Sequence, residues 1–279
     1  MNDTSPRVGA PNCGLRPSFT EAVFLLFISM GLMLLAVSAL QLARQKGLAS
    51  LFGSRFTRSL EVEIFALGVP LLLFFRFRRY NLKESLGLRF CRMSALAGGA
   101  VMGTGSVMIS PQLEAWLARL IPPPPDWPDY MVRFLTLVPG ESLVWAFFCL
   151  ALAPALLEEA LFRGVILGGA LQHWKPPVAV VGVSIAFGLF HLDFWHLPLL
   201  TLIGMLITWS AVVTASLWPA VCFHLSYNSL ALVLVNFAPQ ASRGWIRGTG
   251  NVPAGILAGG VILLLGGAVL VRFSGRNKG

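Results

Sequence analysis

Charge is scarce in this chain. Only 12% of its 279 residues are Asp, Glu, Lys or Arg, about half of the ~25% usual in a soluble domain. Cysteine is scarce too. Cys13, Cys91, Cys149 and Cys222 are scattered with no C-x-x-C spacing, which excludes a disulfide framework and a zinc knuckle. There is no H-E-x-x-H, and no serine sits in a G-x-S-x-G setting, so the signatures of a zinc-binding helix and of a nucleophile elbow are missing. No internal repeat is visible, which leaves an inverted-repeat transporter without support.

What is abundant is apolar sequence. Hydrophobic residues make up 56% of the chain, and the mean hydropathy is +0.75. Several apolar runs exceed the ~18 residues that mark a transmembrane helix. Eight spans are expected, near residues 19–43, 60–75, 94–111, 142–170, 176–193, 197–215, 217–237 and 254–272. The fold class is therefore all-α, a polytopic transmembrane helix bundle of about eight spans. Its expected organisation is a polar N-terminal lead (1–18), N-terminal helices with a proline-rich loop (19–141), a core carrying the chemistry (142–237), and a last loop, helix and basic tail (238–279). The first run is read as a retained signal-anchor, and the fourth as long because it carries charge toward one membrane face.

The net charge is +9, but the basic residues flank apolar spans, where they act as topology signals and headgroup contacts. Nucleic acid is not an expected partner; membrane lipid is. With both termini cytoplasmic, twelve Lys and Arg fall inside against eight outside, although Arg44, Lys46, Arg55 and Arg58 cluster in an outside loop. The stretch "IPPPPDWPDY" (121–130) predicts a stiff extramembrane strap, because consecutive prolines favour polyproline II. Gly99-x-x-x-Gly103, Gly164-x-x-x-Gly168 and Gly255-x-x-x-Gly259 predict close helix approach within the chain.

Against this background, "LAPALLEEALFRGVILGG" (152–169) is anomalous. A charged side chain at mid-bilayer costs roughly 2.5–3.5 kcal/mol on insertion scales, and Glu158, Glu159 and Arg163 lie in the middle of an apolar run. Glu159 and Arg163 are four residues apart, share a helix face and can pair. Glu158 points about 100° away and needs other partners. Later spans supply them: "FGLFH" (187–191) ends on His191, with Phe187 one turn before it, and "HLSYN" (224–228) sets His224 and Asn228 on one face. A carboxylate beside an imidazole can deprotonate water, and a second His with an Asn can donate hydrogen bonds to a developing oxyanion. That is the equipment of a peptidase without a covalent nucleophile.

The segments "EEALFRG", "FGLFH" and "HLSYN" resemble the motifs E-E-x-x-x-R, F-x-x-x-H and H-x-x-x-N of the CAAX-protease and bacteriocin-processing (Abi) membrane family, which includes the type II CAAX prenyl endopeptidases. All three occur in order, within 142–237; "ESLGLR" (84–89) is also similar. The resemblance implies a metal-independent glutamate endopeptidase with no cofactor. In it Glu158 and His191 activate water, His224 and Asn228 form the oxyanion hole, and Glu159 and Arg163 support the site. It implies a protein or peptide substrate: a prenylated C-terminal tail, a peptide leader or a C-terminal sorting signal. The protein is then an integral multi-pass component of the inner or plasma membrane, with its oligomeric state left open. Two other readings stand beside it. One is a zinc protease using His191, His224 and Glu158, although Asn228 occupies the place of a second zinc histidine. The other is a non-enzymatic immunity or scaffolding protein of the same fold. His173 reads as interfacial, and Asp193 and His196 as loop residues outside the site.

Overall fold

The computed structural model describes residues 16–48, 53–125, 132–238 and 250–276. Most of the polar lead with Cys13, the end of the proline strap (126–131), residues 49–52 and 239–249 of two loops, and the last three residues lie outside this description. Among the described residues all regular structure is helical. Helix α1 is Phe19–Gln45. Helix α2 is a rod in three pieces: Arg55–Glu63, a π-helical stretch Ile64–Gly68, and Val69–Arg78. A single turn, α3 (Leu82–Ser85), precedes α4 (Met93–Leu120). Then come α5 (Leu143–Ala170), α6 (Pro176–Phe190), α7 (Leu197–Thr214), α8 (Trp218–Phe237) and α9 (Ala254–Arg276).

Six of these rods (α1, α4, α5, α7, α8 and α9) are long and apolar enough to cross a membrane. Rod α2 supplies the expected span at 60–75, its apolar middle bracketed by Arg55, Arg58, Glu61 and Glu63 at one end and Arg76 and Arg78 at the other. Helix α6 has only 15 residues, about 22 Å against a hydrocarbon core of ~30 Å, too short to cross the core alone. The chain is an integral, multi-pass, all-α membrane protein with about eight spans. Large apolar side chains such as Phe24, Phe27, Ile262 and Leu265 point outward, as lipid-facing positions require.

Local chemistry sets the helix ends. Ser18 caps α1 through a reciprocal capping box with Glu21, and Ser54 and Asn81 cap α2 and α3. The "ESLGLR" segment is a buttress. Glu84 accepts from Arg16 at 2.9 Å and Arg89 at 2.7 Å, and these bonds hold its carboxyl below the usual carboxylate range. Gly87 takes a left-handed φ of 64°, which glycine adopts without a Cβ clash, and its carbonyl accepts from the Leu217 amide at 2.9 Å, just before α8.

Glycines let α4 sink between α8 and α9. A Cβ on Gly99 would lie 2.2 Å from the Pro219 carbonyl oxygen, and one on Gly103 2.3 Å from that of Phe223. The opposite face of α4 uses Gly98 and Gly105 against Gly267 and Gly260. The expected approach through Gly99 and Gly103 is therefore made within the chain. The α9 approach, however, uses Gly260 and Gly267 rather than Gly255 and Gly259, since a Cβ on Gly255 meets open space. Gly103→Ala is expected to lower stability in detergent by about 1–3 kcal/mol, because overpacking here meets backbone. Thermal melts beside Gly255→Ala, which should melt no earlier than the parent, check it.

Candidate active site

Helix α5 is broken twice by π-helical stretches, Phe148–Leu152 and Ala160–Ile166, which bracket the α-helical piece Ala153–Glu159. Such bulges gather at functional sites because they widen the helix and release carbonyls from the regular ladder. Glu158 and Glu159 lie near the middle of the 28-residue rod. Both residues are buried, Glu159 completely.

Glu159 and Arg163 form the expected ion pair, with Nη1 donating to Oε1 at 2.8 Å and both side chains without exposure. The guanidinium is held on further sides. Nε donates to Thr208 Oγ1 at 3.1 Å, Nη2 donates to the Gly204 carbonyl at 3.1 Å, and the Phe187 ring lies 4.4 Å from its Cζ. Thr208 completes the cradle by donating to Gly204 at 2.7 Å. Gly204 permits α7 to close on α6, since a Cβ there would touch Phe187 and Ser184 at 3.2 Å. The planar five-donor fork of arginine fits such a pocket in a way lysine does not.

Glu159 does a second thing. Its Oε1 also accepts from His224 Nδ1 at 2.8 Å. A carboxylate paired with Arg163 is an acceptor only, so Nδ1 carries the proton and Nε2 of His224 is turned toward Glu158, 4.0 Å from Oε2. His191 is fixed from the other side. As the C-cap of α6 it follows the last helical turn, its ring stacks edge-on against Phe187 at 4.7 Å, and its Nδ1 donates to the Phe187 carbonyl at 2.9 Å. A carbonyl only accepts, so the free electron pair sits on Nε2, which also stands 4.0 Å from Glu158 Oε2. That oxygen is buried and has no hydrogen-bond partner within the protein. Asn228 donates from Nδ2 to the Leu150 carbonyl at 3.1 Å, an acceptor on the first π stretch.

The structure thus brings together all six residues singled out from the sequence. Glu158, His191, His224 and Asn228 line one cavity of about 1560 Å³, larger than the ~300–1,000 Å³ of small-ligand pockets, whereas Glu159 and Arg163 stand behind it. Asp193 and His196 follow α6 on a loop, as expected, but they also line this cavity, where His196 Nε2 meets Glu114 Oε1 at 3.2 Å. His173 packs edge-on against Phe19, away from the cavity. Cys149 is a buried free thiol and Cys222 a free one.

Four contributors escaped the sequence reading. Thr208 and the carbonyls of Gly204 and Leu150 carry no motif, and backbone acceptors leave no trace in residue identity. Glu63 did leave a signal, a carboxylate opening the apolar run "EIFALGVPLLLFF". It lines the same cavity as Glu158 from α2.

Residues 140–230 match the family model described as type II CAAX prenyl endopeptidase Rce1-like. Among curated proteins, the "Putative membrane peptidase YdiL" of Bacillus subtilis (strain 168) is 29% identical over 79 residues, which is 28% of this chain and 32% of that protein. The chain thus aligns with about a third of that relative's length. No solved structure matches the chain. The matched segment opens beside α5 and closes within α8, so it takes in all three motifs and Thr208, while Glu63 lies outside it. Over residues 140–230 the chain is therefore similar to the Rce1-like type II CAAX prenyl endopeptidases, the resemblance that its three motifs carry.

Proposed function

We propose that the protein is a membrane-embedded endopeptidase that hydrolyses a peptide bond with a water activated by Glu158 and His191, without a metal. The observation that carries this reading is the position of Glu158 Oε2. It is buried, unpartnered and 4.0 Å from both imidazole Nε2 atoms, too far for a direct hydrogen bond, while a water seated beside all three makes bonds of ordinary length. The Glu158 carboxylate and His191 Nε2 both accept, so such a water donates one O–H to each and turns a lone pair outward.

Attack of that lone pair on a peptide carbonyl forms the new C–O bond as a water proton passes to Glu158. The carbonyl π electrons move onto oxygen, and the Nε2–H of His224, held as the imidazolium with its Nδ1–H on Glu159, and the second N–H of Asn228 face that charge. Collapse of the adduct breaks the C–N bond, and the proton held by Glu158 goes to the departing amine. Glu159 and Arg163 touch none of these atoms; they hold His224 with Nε2 toward the site. The cavity, wide and largely apolar, accepts an extended segment with bulky apolar side chains or a lipid chain. The substrate class we propose is thus a protein or peptide tail presented at the membrane, including CAAX-type tails, leaders and sorting signals.

The test is mass spectrometry of a membrane-peptide library incubated with purified protein in a strong chelator, alongside Glu158→Ala. Products from the parent alone support the proposal. Activity that vanishes in chelator and returns only with zinc would overturn the metal-free mechanism. Asn228→Ala is expected to lower kcat by roughly 10²-fold with KM little changed, as for loss of an oxyanion donor. Steady-state kinetics on any cleaved peptide check this, and a pure rise in KM would place Asn228 in substrate binding.

A further inference from the structure

Glu63 ends the first piece of α2, where α-helix gives way to the π stretch Ile64–Gly68. It lines the same cavity as Glu158, and its helical piece Arg55–Glu63 packs against the Ala153–Glu159 piece of α5 that carries Glu158. Each keeps one buried oxygen, Oε2 in both cases, with no hydrogen-bond partner. Among the described residues, no cation forms an ion pair with Glu63. Arg163 is engaged by Glu159, Arg55 by Glu141 at 2.7 Å, and Arg58 donates to the Gly53 carbonyl at 2.7 Å. From the elements packed on α2, α1 brings Arg44 to the cavity and α5 brings Glu158, while the α5 thiol of Cys149 joins the apolar cluster around Phe56 and Leu60. Of these, Glu158 is the charged group that acts on Glu63.

Two carboxylates sharing a site in a low-dielectric interior do not both ionise; such a pair keeps a proton and titrates as a unit. The proton has an obvious place. Glu158 faces the Nε2–H of the His224 imidazolium at 4.0 Å, which favours its anion, and Glu63 has no imidazole at that distance. An O–H donor aimed at a carboxylate makes a short, charge-assisted bond, and it fixes the rotation of the acceptor group.

We propose that Glu63 is a positioning residue: held as the neutral acid, it donates its O–H to the Glu158 carboxylate and so keeps Glu158 Oε2 turned toward His191 and His224. This rests on the peptidase reading for its catalytic consequence, but not for the proton itself. Glu63→Gln is isosteric and keeps a donor, whereas Glu63→Ala removes it. A hydrogen bond to a charged group is worth ~10- to 100-fold in an equilibrium.

The experiment is infrared difference spectroscopy of the full-length protein in lipid nanodiscs, parent against Glu63→Gln, followed by kinetics on both variants. The expected result is loss of one carboxylic-acid C=O band in Glu63→Gln with most of kcat retained. Glu63→Ala should lose ~10- to 100-fold in kcat at unchanged KM. An unchanged acid band in Glu63→Gln overturns the shared proton, and parental kcat in Glu63→Ala overturns the positioning role. Loss of the band in a protein that cleaves no peptide keeps the carboxyl pair and overturns the peptidase reading instead.

Discussion

Glu158→Gln is expected to leave a folded protein that binds peptide and scarcely turns it over, with kcat lower by ~10²–10⁴-fold. The size follows from the role: an amide oxygen does not take a proton from water, so the nucleophile must form without a general base. Retained folding follows from the surroundings. Glu158 makes no ion pair with Arg163, whose nearest carboxylate oxygen belongs to Glu159, and glutamine has the same shape with no charge left unpaired. His191→Ala should behave alike, since its Nε2 stands at the same 4.0 Å from Oε2. Circular dichroism and melting curves establish the fold, and single-turnover assays on a cleaved peptide read the chemistry. Near-normal turnover of well-folded Glu158→Gln would sink the proposed mechanism.

Arg163→Ala should fail earlier, in folding. Its side chain has no exposure and neither does that of Glu159, so the substitution strands a buried carboxylate, a loss of about 3–5 kcal/mol for pairs of this kind. It also leaves the Gly204 carbonyl and Thr208 without their guanidinium donor. Lower yield, an earlier melt and a parallel loss of activity are the expected results. Glu159→Gln with Arg163→Met should regain much of the stability, because no unpaired charge remains. It should not regain activity, since His224 then lacks the carboxylate that orients Nδ1. The rival role, contact with a substrate carboxylate, calls for an Arg163→Ala protein as stable as the parent, with a raised KM that an amidated substrate abolishes. Melts on the four proteins of the cycle, with one amidated peptide, decide between them.

Much of this was legible because membrane sequences speak in contrasts. Eight apolar runs gave the rods, most of them to within a few residues although α4 runs on to Leu120, nine past the expected end, and charge or amide inside them marked Glu158, Glu159, Arg163, His191, His224 and Asn228. The one-turn spacing of Glu159 and Arg163 gave their pair directly. The partner of His224 was not legible, because a contact between α5 and α8 depends on packing and not on spacing. Glu63 was overlooked for a different reason: at the edge of an apolar run a carboxylate reads as a terminus, and only the approach of α2 to α5 turns it inward. The short α6 was read through to residue 193, although it stops at Phe190, since hydropathy does not register where a helix ends.

The π stretches of α5 have a consequence for how relatives are to be compared. Each is an α-helix that has taken in extra chain length while the residues on either side keep their faces. A relative lacking one residue within 148–152 would close the first bulge and still present its two glutamates to the same neighbours. It would, however, lose the released carbonyl that Leu150 offers to Asn228. A one-residue gap at that place in an alignment therefore marks an altered anchor for the asparagine, with the acidic pair still in register.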